Sequence, residues 1–166
     1  MSEITFRAAA AEDAAALAAI YNEGIEDRVA TFETTPRNED DAQEWPQDSV
    51  VLIVAERDGQ VLGWARVSSY SDRCVYQGVG EHGVYVARAA RGQGVGLALL
   101  QAMCDEAERQ GLYKLTSRVF TDNAPSRAIH TAAGFEEVGV QRRHGRLDGE
   151  WKDCVLVERL LGEAAD

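Results

Sequence analysis

Three closely spaced glycines are the most chemically suggestive feature of the 166-residue chain. Gly92, Gly94 and Gly96 follow an apolar run and precede a helical pattern. Glycine lets the backbone adopt positive φ and approach a ligand closely. Backbone N–H groups at the start of a helix, assisted by the helix dipole, can then bind one anion. The segment that begins at Arg91 therefore predicts either a phosphate-binding turn or a tight turn that simply requires glycine.

Two common phosphate loops do not fit this segment. A Walker A loop needs a lysine and a Ser or Thr after its last glycine, whereas Leu97 follows Gly96. A dinucleotide fingerprint needs GxGxxG after the first strand, and here the glycine spacing differs and the segment lies mid-chain. These observations exclude an ATP loop and a dinucleotide site, and they leave the pattern Arg91-x-x-Gly94-x-Gly96.

Hydrophobic patterning predicts the elements that must position this turn. Apolar residues at helical spacing, such as Leu99 and Met103, give the strongest predicted helix, and Asp58-Gly59 is a strong hairpin signal. We predict strands at 4–9, 50–70 (a hairpin), 78–88, 114–120 and in two segments up to 161, and helices at 11–28, 40–45, 94–111 and 123–134. This order indicates a mixed α/β (α+β) fold, with residues 1–166 forming a single domain.

Composition restricts the classes of partner. The net charge of −11 opposes nucleic acid and anionic membranes, although local dipoles and arginines can still hold an anionic small molecule. No stretch approaches the roughly 20 apolar residues of a membrane helix, and the first residues lack the pattern of a signal peptide, so we expect a cytoplasmic protein. Cys74, Cys104 and Cys154 show no CxxC spacing, and each is expected to be a small buried residue.

The segments around the glycine turn resemble a known family. "GVYV" at 83–86 precedes the turn and "NAPSRAIHTAAGF" at 123–135 follows it; with the turn itself, they resemble the GCN5-related N-acetyltransferase (GNAT) family. The resemblance implies acetyl-CoA as co-substrate and a mostly antiparallel sheet of about seven strands, splayed between strands 4 and 5, with about four helices. The implied cofactor-binding residues are Val84, Tyr85, Val86, Arg91, Gly92, Gln93, Gly94, Val95, Gly96, Leu97, Asn123 and Ser126.

Three separated blocks, at 20–37, 63–86 and 142–161, resemble one branch of this family. That branch comprises phosphinothricin, methionine sulfoximine and arsinothricin N-acetyltransferases. The resemblance implies acetyl transfer by direct attack of the α-amine of a small anionic amino acid. It also implies a homodimer, with the C-terminal strands as a candidate surface.

Amide formation needs a neutral amine, a donor for the oxyanion and a proton for the departing thiolate. The resemblance implies that Glu81 is the base that deprotonates the amine, directly or through water. His82 is a rival base and departs from the branch, but in a regular strand it faces away from Glu81. His130 is implied as the thiolate's proton donor or a substrate contact. The alternatives are a solvated surface acid for Glu81 and a structural histidine for His130.

The resemblance also implies an acceptor site. Arg73 matches the branch arginine placed to meet an anionic group, a role that suits the guanidinium fork. Thr31 and Phe32 are implied to wall the pocket, and Tyr76 to line it. A surface role for Arg73 and a core role for Phe32 remain the alternatives. We expect no metal ion.

Two other functions stay open from the sequence. The same fold could serve a different amine, such as a polyamine, an aminoglycoside or a protein N-terminus. A non-catalytic sensor that binds coenzyme A is a further alternative, although Glu81 and His130 at their motif positions argue against it.

Overall fold

A seven-stranded mixed sheet lies at the centre of the computed structural model, which describes residues 3–166. The strand order is β1-β2-β3-β4-β5-β7-β6, and only the β4–β5 pair is parallel among these described strands. The strands are β1 (Thr5–Ala8), β2 (Val51–Arg57), β3 (Gln60–Ser69), β4 (Val79–Val86), β5 (Lys114–Phe120), β6 (Glu136–Leu147) and β7 (Glu150–Leu160). The predicted mixed fold, with about seven strands, is confirmed.

Five α-helices occur within residues 3–166, where the sequence suggested about four. They are α1 (Ala14–Asp27), α2 (Glu39–Gln43), α3 (Trp45–Asp48), α4 (Val95–Arg109) and α5 (Ala124–Ala132). The predicted helix at 40–45 divides because Pro46, in the first turn of α3, cannot continue a helix that began upstream. None of the helices in this part of the chain is long and apolar enough to cross a membrane.

The sheet is covered on both faces by helices. On one face α4 buries Val95, Leu99, Met103 and Ala107, which are the positions that the helical spacing predicted. On the other face α1 and its following short helices cover a separate apolar cluster that contains Trp64. An apolar core on each face thus packs against the central strands, and this packing fixes the positions of the residues at the strand ends.

The cysteines only partly follow the prediction. Cys104 and Cys154 are buried, as expected, whereas Cys74 is exposed. The prediction for Cys74 was wrong because this residue begins a short 3-10 turn, Cys74–Tyr76, in the connection between β3 and β4 rather than lying on a strand or helix face.

The parallel pair β4–β5 is only three residues long. Val79, Gly80 and Glu81 pair with 114–116, and pairing ends at Glu81 opposite Thr116. Beyond that point β4 stays paired with β3 as far as Val86, while β5 pairs with β7. The two strands therefore diverge in the middle of the sheet, as predicted, and leave the edge of β4 from 83 to 86 unpaired on its β5 side.

Candidate active site

A cleft of about 610 Å³ lies where β4 and β5 diverge. It extends from the glycine turn at the start of α4 to the short helix α5. The predicted residues that line it are Val84, Tyr85, Val86, Arg91, Gly92, Gly94, Val95, Gly96, Leu97, Asn123, Ser126 and His130. Gln93 is absent from this lining: its Oε1 accepts a hydrogen bond from Arg57 Nη2 at 2.7 Å, and its Nε2 donates to the Ala89 carbonyl.

The glycine turn has the backbone of an anion cradle. Gly92 and Gly94 have φ of 78° and 81°, and a Cβ at either position would meet no atom within 4 Å among the described residues. Gly94 caps α4, and the Ala98 N–H donates to its carbonyl. The N–H groups that precede Ala98 in the first turn therefore have no partner within the helix, and they remain available to a ligand at its positive end.

Arg91 clamps the turn to α1. Its Nε donates to the Val86 carbonyl at 3.3 Å, and its guanidinium forms an ion pair with Asp27 at the end of α1. Arg88 forms an ion pair with the same carboxylate. Hydrogen bonds from Arg91 and Arg88 lower the pKa of Asp27 below its ordinary value. The arginine of the motif is thus engaged by a carboxylate, so the anion-binding groups of the turn are chiefly backbone N–H groups.

Asn123 joins two walls of the cleft. Its Oδ1 accepts from the Ser126 N–H at 3.3 Å and so caps α5, while its Nδ2 donates to the Val29 carbonyl at 2.9 Å. Val29 belongs to the loop that follows α1. Asn123 therefore stabilises the start of α5 and the loop after α1, in addition to lining the cleft.

His82 and His130 form a buried pair across the cleft's inner wall. Their Nε2 atoms are 3.0 Å apart, and His130 Nδ1 lies 2.8 Å from the Ser126 carbonyl. Because a carbonyl only accepts, His130 carries its hydrogen on Nδ1, and its Nε2 accepts from the Nε2–H of His82. Both ring nitrogens of His130 are therefore engaged within the protein.

Burial keeps this pair neutral. Desolvation lowers the pKa of His82 to about 3, with a further contribution from His130, and desolvation also lowers the pKa of His130. His82 Nδ1 is buried without a hydrogen-bond partner among residues 3–166. The sequence expectation that His82 faces away from Glu81 is confirmed, because Glu81 is exposed and His82 is buried.

Glu81 lies at the last paired position of β4 and faces a second pocket, of about 370 Å³. Its Oε1 is 3.6 Å from Nη1 of Arg118 on β5, so the ion pair spans the point of divergence. The second pocket, on the α1 face of the sheet, is lined among others by Tyr21, Arg37, Trp45, Arg66, Ser68 and Glu81.

Arg73 and Tyr76 lie together in the exposed connection between β3 and β4. The Arg73 guanidinium is 5.6 Å from the centre of the Tyr76 ring. Neither residue lines the cleft or the second pocket of the described chain. These two predicted acceptor contacts thus lie together, outside the pocket that Glu81 lines.

Thr31 and Phe32 lie beside the cleft without lining it. The Phe32 ring packs on Phe120 with centroids 4.8 Å apart, and Thr31 Oγ1 accepts from the Glu33 N–H at 3.1 Å. The preceding loop residue Ala30 and the Phe120 ring do line the cleft. Phe32 therefore supports the cleft wall from behind.

Sequence reasoning missed Arg66, Ser117 and Arg118. Ser117 Oγ donates to the His82 carbonyl at 2.8 Å, and Arg118 contacts Glu81. The sequence did contain a signal for Arg66. In a strand, residues two positions apart lie on the same face, so Arg66 is expected on the face of the sheet that carries Trp64. No such signal marked the residues of β5, because their roles depend on the divergence of two strands.

These features define a class of protein. A backbone anion cradle, an open strand edge and a carboxylate at the point of divergence suit an enzyme that holds a long phosphate-bearing ligand along β4. The sequence profile described as the acetyltransferase (GNAT) family matches residues 17–135. The chain belongs to this family and is an acyltransferase.

Individual relatives agree with this assignment. The chain is 31% identical over 162 residues to an L-methionine sulfoximine/L-methionine sulfone acetyltransferase of Pseudomonas paraeruginosa, covering 95% of this chain and 94% of the relative. It is 35% identical over 164 residues to a phosphinothricin N-acetyltransferase of Alcaligenes faecalis, covering 95% and 82%. A GNAT-superfamily phosphinothricin acetyltransferase from Sinorhizobium meliloti, solved in complex with acetyl-CoA, superposes with a TM-score of 0.90 at 31% identity, covering 99% and 91%.

Proposed function

We propose that the protein transfers the acetyl group of acetyl-CoA to the α-amine of a small anionic amino acid such as phosphinothricin, methionine sulfoximine or arsinothricin. The observation that carries the proposal is the end of β4–β5 pairing at Glu81, which opens the β4 edge beside the cleft. The names of the relatives support the substrate class. We also propose that residues 1–166 form one domain, since strands near both ends of the described chain join one sheet.

The described residues fit acetyl-CoA. The space at Gly92 and Gly94, where a Cβ would meet nothing within 4 Å, leaves room for a pyrophosphate against the first N–H groups of α4. The unpaired edge of β4 at Val84–Val86 can hydrogen-bond the amides of an extended pantetheine arm, as strand edges do with peptides. The thioester supplies an acetyl group on a thiolate leaving group. A backbone N–H of this edge is the simplest donor to the oxyanion.

Glu81 is the proposed base. Its carboxylate lies at the divergence of the strands and faces the second pocket, so an amine there could lose its proton to Glu81 while approaching the cleft. Arg118 Nη1, 3.6 Å from Glu81 Oε1, holds the carboxylate at the point where the two strands separate. This arrangement supports a direct-transfer enzyme over a coenzyme A sensor, which needs no base.

His130 is proposed to contact the thioester end of the cofactor. It lines the cleft, but both of its ring nitrogens are engaged by His82 and Ser126. To donate a proton to the thiolate, His130 would have to break its hydrogen bond to His82 or to the Ser126 carbonyl. A contact with the thioester needs neither hydrogen bond to break.

A homodimer remains part of the proposal. The edge strand β6 is largely exposed and presents Val138 and Val140, and Trp151 on β7 is 49% exposed. Apolar side chains on an outer strand suit a surface between two copies. The family resemblance keeps Arg73, Tyr76, Thr31 and Phe32 in the proposal as additional acceptor contacts, and none of the four lines either pocket of the described chain.

The replacement Glu81→Gln tests the proposal. It preserves shape and removes the base, so kcat should fall about 10²- to 10⁴-fold while acetyl-CoA affinity is unchanged. Thiol release and calorimetric titration measure the two quantities. Glu158→Gln is the matched control, because Glu158 pairs with Lys114 at 3.0 Å but lies on β7 and lines neither pocket. Wild-type turnover by Glu81→Gln near neutral pH would refute Glu81 as the base.

A further inference from the structure

Arg66 is an arginine without a counter-ion in the second pocket. Its Nε is buried and has no hydrogen-bond partner among residues 3–166, and it forms no ion pair with a carboxylate of this range. A partly buried guanidinium that lacks a partner loses hydration without compensation. Such a group in a pocket wall is suited to bind an anion that arrives with a ligand.

Strand register brings Arg66 to the proposed base. Arg66 is opposite Gly83 and Ser68 is opposite Glu81, so Arg66 and Glu81 are diagonal neighbours on one face of the β3–β4 pair. Diagonal Cα atoms lie about 7–8 Å apart. Gly83 lies between them, and the Tyr85 ring packs over it, with its Cε2 3.2 Å from where a Cβ of residue 83 would stand. Arg66 and Glu81 line the second pocket together with this ring, so a small molecule beside it can place an amine at Glu81 and an anionic group at Arg66.

The ring of Trp45 orients the guanidinium. Arg66 Cζ lies 5.9 Å from the centre of this ring, a cation–π distance. A guanidinium held over a ring keeps its edge N–H groups free for the two oxygens of a planar or tetrahedral acid. The contact thus positions the cation without neutralising it.

The other arginines near Glu81 are engaged by the protein. Arg37 donates to Glu33 Oε2 at 3.1 Å and to the Thr35 carbonyl. Arg118 donates through Nε to Gln141 at 2.9 Å. Of the two arginines that line the second pocket of the described chain, Arg66 is therefore the one whose guanidinium can pair with an anionic ligand.

We propose that Arg66 binds the anionic group of the acceptor amino acid in the second pocket while Glu81 receives the proton of its amine. The inference rests on the proposed function and specifies its acceptor site. The bound group is a carboxylate, phosphinate or related oxyacid, which is either the α-carboxylate or the side-chain acid of the acceptor.

The test uses Arg66→Met, which keeps length and apolar contact with Trp45, and Arg66→Lys, which keeps the charge. Arg66→Met should raise the acceptor KM about 10- to 100-fold with kcat and acetyl-CoA affinity nearly unchanged, since charge-assisted hydrogen bonds are lost equally from ground and transition states. Arg66→Lys should recover part of this loss. Arg109→Met is the control, because Arg109 pairs with Glu106 on α4, away from both Glu81 and Arg66.

The acceptor panel separates the two sources of the anion. Phosphinothricin carries both acids, methionine sulfone only the α-carboxylate, 3-aminopropyl(methyl)phosphinic acid only the phosphinate, and butylamine neither. A KM increase confined to acceptors that retain one acid identifies that acid as the partner of Arg66. An equal increase for butylamine, or no increase for any acceptor, would overturn the proposal.

Calorimetric titration of phosphinothricin into the protein, without acetyl-CoA, tests the site independently of turnover. Binding that weakens about 10-fold or more in Arg66→Met supports the site even where the wild type acetylates no acceptor, a result that would refute the proposed function alone. Binding that is unaffected by Arg66→Met, or no binding by the wild type, refutes the Arg66 site.

Discussion

Replacement of Gly94 by valine separates the strain of the glycine turn from its role in ligand binding. Gly94 has φ of 81° and caps α4, and a Cβ there would project into open space. An L-residue in this left-handed conformation costs about 1–2 kcal/mol, and a β-branched residue is least suited to it. In a chain of this length that cost lowers Tm by about 2–8 °C, so the variant should still fold.

The effect on acetyl-CoA should be larger than the effect on stability. A valine side chain at Gly94 would occupy the space that we assign to the pyrophosphate and would block the N–H groups of the first turn. Each hydrogen bond to a charged group contributes about 1.5–3 kcal/mol, so the loss of two corresponds to roughly 10²- to 10⁴-fold in Kd. Calorimetric titration with acetyl-CoA measures this loss.

Gly59→Val is the matched control. Gly59 has φ of 78° and open space at its Cβ, but it lies in the β2–β3 hairpin. Both variants should lose similar stability, and only Gly94→Val should lose acetyl-CoA affinity. If Gly94→Val binds acetyl-CoA as tightly as Gly59→Val, the turn is not the pyrophosphate site.

Two further predictions concern His82 and Arg73. Because burial lowers the pKa of His82 to about 3, the unfolded chain binds more protons than the folded chain below about pH 6.5, and stability is lost as pH falls through this window. Urea unfolding should show that the wild type loses about 2 kcal/mol more than His82→Gln between pH 7 and pH 5; equal losses would contradict the neutral buried pair. Arg73→Ala should raise KM for phosphinothricin more than for butylamine; steady-state kinetics with equal effects on both would remove its proposed anion contact.

Local signals were sufficient to predict much of the fold. Asp58-Gly59 predicted a hairpin, and both residues have positive φ, as a two-residue turn of this type requires. Gly111 and Gly134 were predicted to end helices and have φ of 91° and 90°. The short helix α3, Trp45–Asp48, was missed because the predicted segment ended at residue 45, whereas Pro46 is accepted in the first turn of a new helix.

The cleft was predictable where one continuous segment forms it. The glycine turn and the first residues of α4 are adjacent in sequence, so their shared orientation toward a ligand follows from local geometry. The family resemblance added Asn123, Ser126 and His130, and all three line the cleft.

Contacts between segments that are distant in sequence could not be predicted in this way. The His82–His130 hydrogen bond joins residues 48 positions apart, and the Glu81–Arg118 ion pair depends on where β4 and β5 stop pairing. Within residues 3–166 the buried Nε of Arg66 has no hydrogen-bond partner because the nearby side chains pair elsewhere in three dimensions. The spacing of residues along the sequence does not show which charged groups are paired.

Acetyl transfer from acetyl-CoA to the α-amine of a small anionic amino acid is the proposed reaction of this protein. The most direct test is kcat/KM of the wild type for phosphinothricin, methionine sulfoximine, arsinothricin, spermidine, an aminoglycoside and a peptide N-terminus, with each product identified by mass. We expect an N-acetylated amino acid as product and a clear preference for the anionic amino acids. A preference for the cationic amines or the peptide, or tight acetyl-CoA binding without transfer to any of these acceptors, would contradict it.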